Sequence, residues 1–286
     1  MNRCRLLTID VEDWFHICEV ESLSDLDSWS GFESRVESAT RWLLDVLRQR
    51  NIKGIFFILG WIAQEYPDLI REIKTQGHLI GSHSFGHNLL YELSDAEFEI
   101  DLLKSLDAID KAIGERPSLY RAPGFSLTHR NFSMLQILAD NGIEFDFSIY
   151  PGDRAHGGFR TDMNEPYKIM FGGGLSIIEM PMSVGRLFGK LDVGLGGGYY
   201  RLLPVFILKR LFGRREYQMS YFHPRDFDYG QPKIKGLKFL KSFKTYVGLK
   251  TSQKKFLRLL DAFSFDDPRY SLQRVSDSDL KLTLYS

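Results

Sequence analysis

The stretch VESATRWLLDVLRQRNIKGIFFILG, residues 36–60, decides how this chain is read. Its first fifteen residues carry apolar side chains at helical spacing, Val36, Ala39, Leu43 and Leu47 among them, with charged residues between. NIKG then makes a turn, and GIFFILG is an unbroken apolar run of strand length. Upstream, RLLTIDV at residues 5–11 reads as another short buried strand, ending in the acids Asp10, Glu12 and Asp13. Strand, helix and strand in that order form a β-α-β unit, which requires parallel strands. The pattern continues with predicted helices over 67–75, 95–113 and 129–141, alternating with strands in HLIGSHS (78–84), SLYRAPG (118–124) and IEFDFS (143–148). Such alternation predicts an α/β fold with helices outside, either a barrel or a doubly wound sheet.

Beyond Pro151 the order weakens. Glycine-rich pieces (FGGG, 171–174; GLGGGYY, 194–200) interrupt shorter strands in LSIIEMP (175–181) and QMSYFHP (218–224). A last amphipathic helix is expected over 252–265, followed by a loosely held polar tail. With no repeat, low-complexity tract or linker, residues 1–286 read as one domain whose part from about 151 is less regular.

At 43% hydrophobic and 26% charged residues the chain has the makings of a sizeable core. Its 37 basic residues equal its 37 acidic ones, so no global field favours nucleic acid, and none is expected as a partner. The N-terminus has no room for the apolar core of a signal peptide, and no run approaches a membrane span. Cys4 and Cys18 are the only cysteines, too few for a disulfide framework. A cytoplasmic location is the expectation.

Acids at a strand end suggest a site, and the sharpest companion signal is GSHSFGH, residues 81–87. His83 and His87 lie one helical turn apart, so both imidazoles can face one ion. Two imidazoles still want a carboxylate, and the acidic cluster offers several. Strand alternation puts Asp10 and Glu12 on one face, while a turn after Glu12 would swing Asp13 inward instead. Two histidines and one carboxylate leave coordination positions open for water and substrate, as hydrolytic sites need.

Five ordered motifs, TIDVED (8–13), HSFGH (83–87), RAPGF (121–125), FDFS (145–148) and SYFHP (220–224), together resemble the NodB-type polysaccharide deacetylases, carbohydrate esterase family four. The closest likeness is to the branch whose first motif reads DVED. The resemblance implies a distorted (β/α) barrel of the NodB-homology type, with the site at the carboxyl ends of the strands. It implies Asp10 as catalytic base and His83 and His87 as metal ligands. The family's metal-binding acid directly follows the base; Val11 stands there in this chain, so Glu12 or Asp13 must substitute, Glu12 being preferred for sharing the face of Asp10. Arg121 matches the residue that braces the base. Gly124 stands where a backbone N–H lines the oxyanion hole, and Asp146 resembles the acid that orients the catalytic histidine. His223 takes the place of the general acid. The implied cofactor is a divalent metal, zinc above cobalt or nickel.

The resemblance therefore implies a metal-dependent N-deacetylase acting on an N-acetylated sugar of a cell-surface polysaccharide or its lipid-linked precursor. A deformylase or cyclic-amide hydrolase on the same fold, or a glycan-binding barrel without catalysis, is the alternative. Trp14, Phe15, Phe125, Tyr199, Tyr200 and Phe222 are candidate platforms for sugar rings. His16, His78, His129 and His156 have no assigned role. Residues 199–215, YYRLLPVFILKRLFGRR, combine apolar and basic residues and suggest a helix in peripheral membrane contact.

Overall fold

The computed structural model describes residues 3–18, 20, 23, 25–152, 157–189 and 191–284. Among the described residues eleven strands form the sheet: β1 (Cys4–Val11), β2 (Ile55–Ile58), β3 (Leu79–Ser82), β4 (Leu119–Tyr120), β5 (Phe145–Asp146), β6 (Tyr167–Met170), β7 (Ser176–Glu179), β8 (Val184–Leu187), β9 (Leu191–Gly196), β10 (Tyr217–Phe222) and β11 (Lys281–Leu284). Their order is β11-β6-β7-β5-β4-β3-β2-β1-β10-β9-β8. Every pairing from β7 through to β9 is parallel, and the antiparallel contacts are confined to β6 with β7 and β8 with β9.

The sheet curls because its two faces bury different partners. On β1, Leu7, Ile9 and Val11 point outward into the largest apolar cluster, against Leu43, Leu47 and other helix residues. Cys4 and Leu6 point the other way, into a cluster shared with Phe57 of β2, Leu119 of β4, Phe145 of β5, Ile178 of β7 and Met219 of β10. Side chains from strands so far apart in the order meet only if the sheet wraps around them. This is the distorted α/β barrel expected of a NodB-type chain, with β1 between β2 and β10 near the middle of the order.

Helices Val36–Gln49, Pro67–Thr75 and Asp95–Ile113 form where the periodicity predicts them. The last is closed by local chemistry: Ser94 and Glu97 make a capping box, and Gly114 adopts the left-handed conformation after it. The predicted helix 129–141 is shorter, a 3₁₀ turn at His129–Asn131 followed by a helix over Met134–Asp140. The stretch 199–215 is two helices, Gly197–Leu202 and Val205–Phe212, because Pro204 forces Leu203 into an extended conformation. The tail is not loose. Asp267 caps a helix over Pro268–Ser276, and β11 pairs in parallel with β6, a long-range contact that no local pattern announces.

Candidate active site

The site lies at the carboxyl ends of β1, β3, β4 and β10. The alternation that sends Leu6 inward continues through Thr8 and Asp10 to Glu12, just past the strand, and all four are buried. Across the barrel mouth, the loop after β3 supplies His83 and His87. Glu12 Oε1 lies 3.2 Å from His83 Nε2 and 3.0 Å from His87 Nε2, and the three donor atoms fall within 4.8 Å of one another.

The histidine pair does not sit on a helix. Residues 83–89 are an irregular loop in which Ser84 and His87 take positive φ, 70° and 57°. Such conformations cost free energy and persist only where the surroundings impose them. Here the Asp101 carboxylate accepts hydrogen bonds from the Phe85 and Gly86 N–H groups, at 2.8 and 3.0 Å, and Gly60 N–H donates to the Ser84 carbonyl at 2.8 Å. A Cβ on Gly60 would stand 2.7 Å from Ser105 Cα, so only glycine lets that turn approach so closely.

The donor set fits a divalent cation. His83 Nδ1 is 2.8 Å from the Arg121 carbonyl, which can only accept, so Nδ1 carries a hydrogen and Nε2 is the ring nitrogen available as a ligand atom toward Glu12. Ligand atoms facing each other at this separation call for a cation between them. Burial opposes charge on both groups, yet Glu12 and Cys18 hold His87 well above the usual imidazole range, and His87 and His223 hold Glu12 well below the carboxylate range. Cys18 is more than a packed thiol, since its Sγ lies 3.7 Å from His87 Nδ1. Cys4 is buried and its thiol is pushed up to about 12, mainly by that burial.

Asp13 is not in this group. Its Oδ2 accepts from Ser34 Oγ at 2.7 Å, Arg35 N at 2.8 Å and Val36 N at 3.1 Å, and its Oδ1 accepts from Trp14 N at 2.7 Å. These donors include the N-terminus of the Val36–Gln49 helix, which has no cap of its own from Arg35. Asp13 therefore caps that helix, and the carboxylate that stands with the two histidines is that of Glu12. Burial pushes the Asp13 carboxyl upward, with the hydrogen bonds opposing it only in part.

Arg121, fully buried on the strand end after β4, donates to Asp10 Oδ1 at 2.6 Å and to Thr8 Oγ1 at 2.8 Å, with its guanidinium 4.2 Å from the Phe57 ring centre. A buried guanidinium is tolerable only when so satisfied, and the pair holds the second oxygen, Asp10 Oδ2, toward His223. His223 Nε2 lies 3.9 Å from Asp10 Oδ2 and 3.7 Å from Glu12 Oε1. Gly124 turns the chain two residues after Ala122 in a short 3₁₀ turn, at φ 60°.

The acid that orients His223 is Asp226 and not Asp146. Asp226 Oδ2 is 2.9 Å from both the backbone N and Nδ1 of His223, and Arg201 Nη1 stands 3.5 Å from its other oxygen. Burial works against the charge, but Arg201 and His223 bring Asp226 down to about 2. Burial also opposes the His223 imidazolium, while Glu12, Asp226 and Asp10 outweigh it and raise His223. Asp146 lies instead on β5, opposite Glu179 on β7, where burial raises both carboxyls and the pair hydrogen-bond to each other. Two acids buried together keep a proton between them. The signal for Asp226 was in the sequence, an acid three residues after a His-Pro step, as in a capping box. Nothing local announced Asp101 or Arg201.

Of the aromatic candidates, Phe15, Phe125, Tyr200 and Phe222 are core residues, Trp14 is buried and Tyr199 is half-buried. His16 packs among Phe15, Trp29 and Trp61, accepting from Asp13 N–H at 3.0 Å, and His78 accepts from Gly54 N–H at 3.1 Å. His129 stacks on Phe159, and His156 lies outside the described residues.

Residues 27–145 match the family profile described as Polysaccharide deacetylase. This stretch is similar to a polysaccharide deacetylase domain. Residues 147–273 match a second profile, Domain of unknown function (DUF3473). The deacetylase match holds His83, His87 and Arg121, the second match holds His223 and Asp226, and Asp10 and Glu12 precede both; one sheet joins all three parts. Among curated proteins, a peptidoglycan-N-acetylglucosamine deacetylase of Bacillus cereus is 29% identical over 106 residues, covering 34% of this chain and 38% of that protein. Chitin deacetylase 1 of Saccharomyces cerevisiae is 31% identical over 137 residues, covering 46% of this chain and 43% of that protein. The chain thus spans less than half the length of either relative. A crystal structure from Mycobacterium smegmatis, assigned to the polysaccharide deacetylases, superposes with a TM-score of 0.65 at 20% identity over 100% of this chain and 95% of that one, which shows a shared fold.

Proposed function

We propose that the deacetylase domain of this chain, completed by β1 and β10, is a divalent-metal-dependent N-deacetylase for an N-acetylated sugar of a cell-surface polysaccharide or its lipid-linked precursor. One observation carries the reading: the Glu12-His83-His87 donor set, the Arg121-braced Asp10 and the Asp226-braced His223 converge on one buried point. The likeness to curated glycan deacetylases supports the substrate class.

Glu12, His83 and His87 would hold the metal; the resemblance implies zinc, with cobalt or nickel also accommodated, while the imidazole and carboxylate set by itself excludes only the softest ions. Bound there, it supplies Lewis acidity to the acetyl carbonyl and to water. Asp10 is held by Arg121 with one oxygen committed and the other free to take the proton of the attacking water. The backbone N–H at Gly124, on the adjacent strand end, is the donor assigned to the developing oxyanion. As the carbon–nitrogen bond breaks, His223 Nε2 gives its proton to the departing sugar amine, and Asp226 keeps the ring oriented for that transfer. Water is consumed and acetate and an amino sugar are released.

The test is acetate release from N-acetylglucosamine oligomers by zinc-loaded protein, with Asp10→Asn and His223→Ala as controls. Turnover of a formamide or cyclic amide with none of the N-acetyl sugar would overturn the assignment of substrate. Full activity of Asp10→Asn would overturn the mechanism.

A further inference from the structure

The helix Phe239–Tyr246 is amphipathic in the wrong sense for a helix packed on a core. Its only buried residue is Thr245, whereas Phe239 (82% exposed), Leu240 (70%) and Phe243 (49%) face solvent. At about 100° per residue these three share one arc of the helix, and Thr245 lies on the opposite side. Lys244, exposed, borders that arc on one side, and Lys238, also exposed, stands at the N-cap just before it. Leu202 and Phe206, on the two helices that make up 197–212, are exposed as well, and Lys209 and Arg210 follow them.

The charge around this helix is one-sided. Residues 229–260 contain eight lysines and one arginine and no aspartate or glutamate, although the whole chain is balanced at 37 of each sign. An apolar face edged by lysines in a stretch without acids is the pattern of a helix lying in the headgroup layer of an anionic bilayer, with lysine stems reaching over the apolar residues to phosphates. No helix among the described residues is long and apolar enough to cross a membrane, so the contact is with the surface.

The helix is also tied to the active site from both sides. Lys241 Nζ donates to the Cys18 carbonyl at 2.6 Å, and Cys18 touches His87. Arg201 donates to the Lys244 and Thr245 carbonyls, at 2.9 and 2.8 Å, and approaches Asp226. We infer that the exposed face of Phe239–Tyr246, with its lysines, docks this protein on an anionic phospholipid surface, beside the mouth of the site. The segment 199–215 contributes Leu202 and Phe206 to the exposed apolar surface, while Tyr200, Leu208 and Phe212 belong to the core. The inference does not require the site to be a deacetylase.

The experiment is co-sedimentation of the full chain with sucrose-loaded vesicles of phosphatidylcholine alone or mixed with phosphatidylglycerol. The wild-type protein is expected in the pellet with the anionic vesicles, with binding weakened by salt and by omitting phosphatidylglycerol. Phe239→Ser/Leu240→Ser/Phe243→Ser should lower the partition constant at least tenfold, roughly what withdrawing three apolar side chains from the interface removes. Lys235→Glu/Lys238→Glu/Lys244→Glu should do the same for anionic vesicles only. Both variants should keep the wild-type melting temperature and acetate release from a soluble substrate. Should the triple serine variant melt early, Phe239→Ser alone, at an 82% exposed position, is read in the same assay. Wild-type protein that stays in the supernatant, or serine variants that pellet like wild type, would overturn the inference. So would a wild-type dimer that the serine variant abolishes without any lipid binding, since the face would then meet a second copy.

Discussion

Replacing Asp13 with alanine and Glu12 with glutamine separates two acids that are adjacent in sequence and opposite in role. Asp13 accepts four hydrogen bonds, three of them from backbone N–H groups and two of those at the start of the Val36–Gln49 helix. Losing a helix cap costs about 0.5–2 kcal/mol, and leaving further buried donors unpaired adds about 1–3 kcal/mol. Relief of the buried carboxylate's desolvation offsets part of this, so Asp13→Ala should destabilise by roughly 2–3 kcal/mol and lower Tm by roughly 4–10 °C. Its zinc affinity should stay within about threefold of wild type, because no donor atom of the metal group is touched. Glu12→Gln should instead lose more than about a hundredfold in zinc affinity, since even groups that merely support metal ligands are worth 10–100-fold. Urea denaturation in the presence of a chelator gives the first quantity, and competition with a zinc-binding dye gives the second. Lost zinc binding in Asp13→Ala with retained binding in Glu12→Gln would refute the assignment of the third ligand.

Asp226→Asn should lower kcat for acetate release by roughly tenfold to a hundredfold with KM and zinc affinity little changed, because Asp226 orients His223 and touches no ligand atom; an unchanged kcat would show His223 needs no such support. His78 is buried neutral, its imidazole pushed down to about 4 by burial, Lys53 and Arg269. The unfolded chain then binds the extra proton first, so stability present above pH 6.5 is lost as pH falls toward 4, by up to about 3 kcal/mol. His78→Asn, which keeps an acceptor for Gly54 N–H, should flatten that slope in urea titrations between those pH values. For Asp146 and Glu179 the sign is reversed, as burial raises both carboxyls and stability is lost as pH rises through their folded values. Glu179→Gln should gain on wild type as pH is raised above the ordinary carboxylate range in thermal melts, and a difference that stays constant with pH would contradict a shared proton.

Periodicity alone placed most helices of the first half and the strands between them, because a barrel strand and the helix beside it each bury one face at a fixed local period. Motif order in Asp10, His83, His87, Arg121 and His223 likewise identified most of the residues at the site. What spacing could not supply was the direction of a side chain where the chain leaves regular structure. The two histidines share a site through a strained loop held by Asp101, not through helical spacing. Glu12 and Asp13 diverge because the turn after β1 sends one carboxylate across the barrel mouth and the other to a helix N-terminus 22 residues on in the chain. Asp146 was displaced by Asp226 for the same reason: hydrogen bonds are decided by which strand ends meet, and β10 lies beside β1 although some two hundred residues separate them. The outward-facing Phe239, Leu240 and Phe243 were legible as apolar residues, but only the packed structure shows that, among the described residues, they stay exposed.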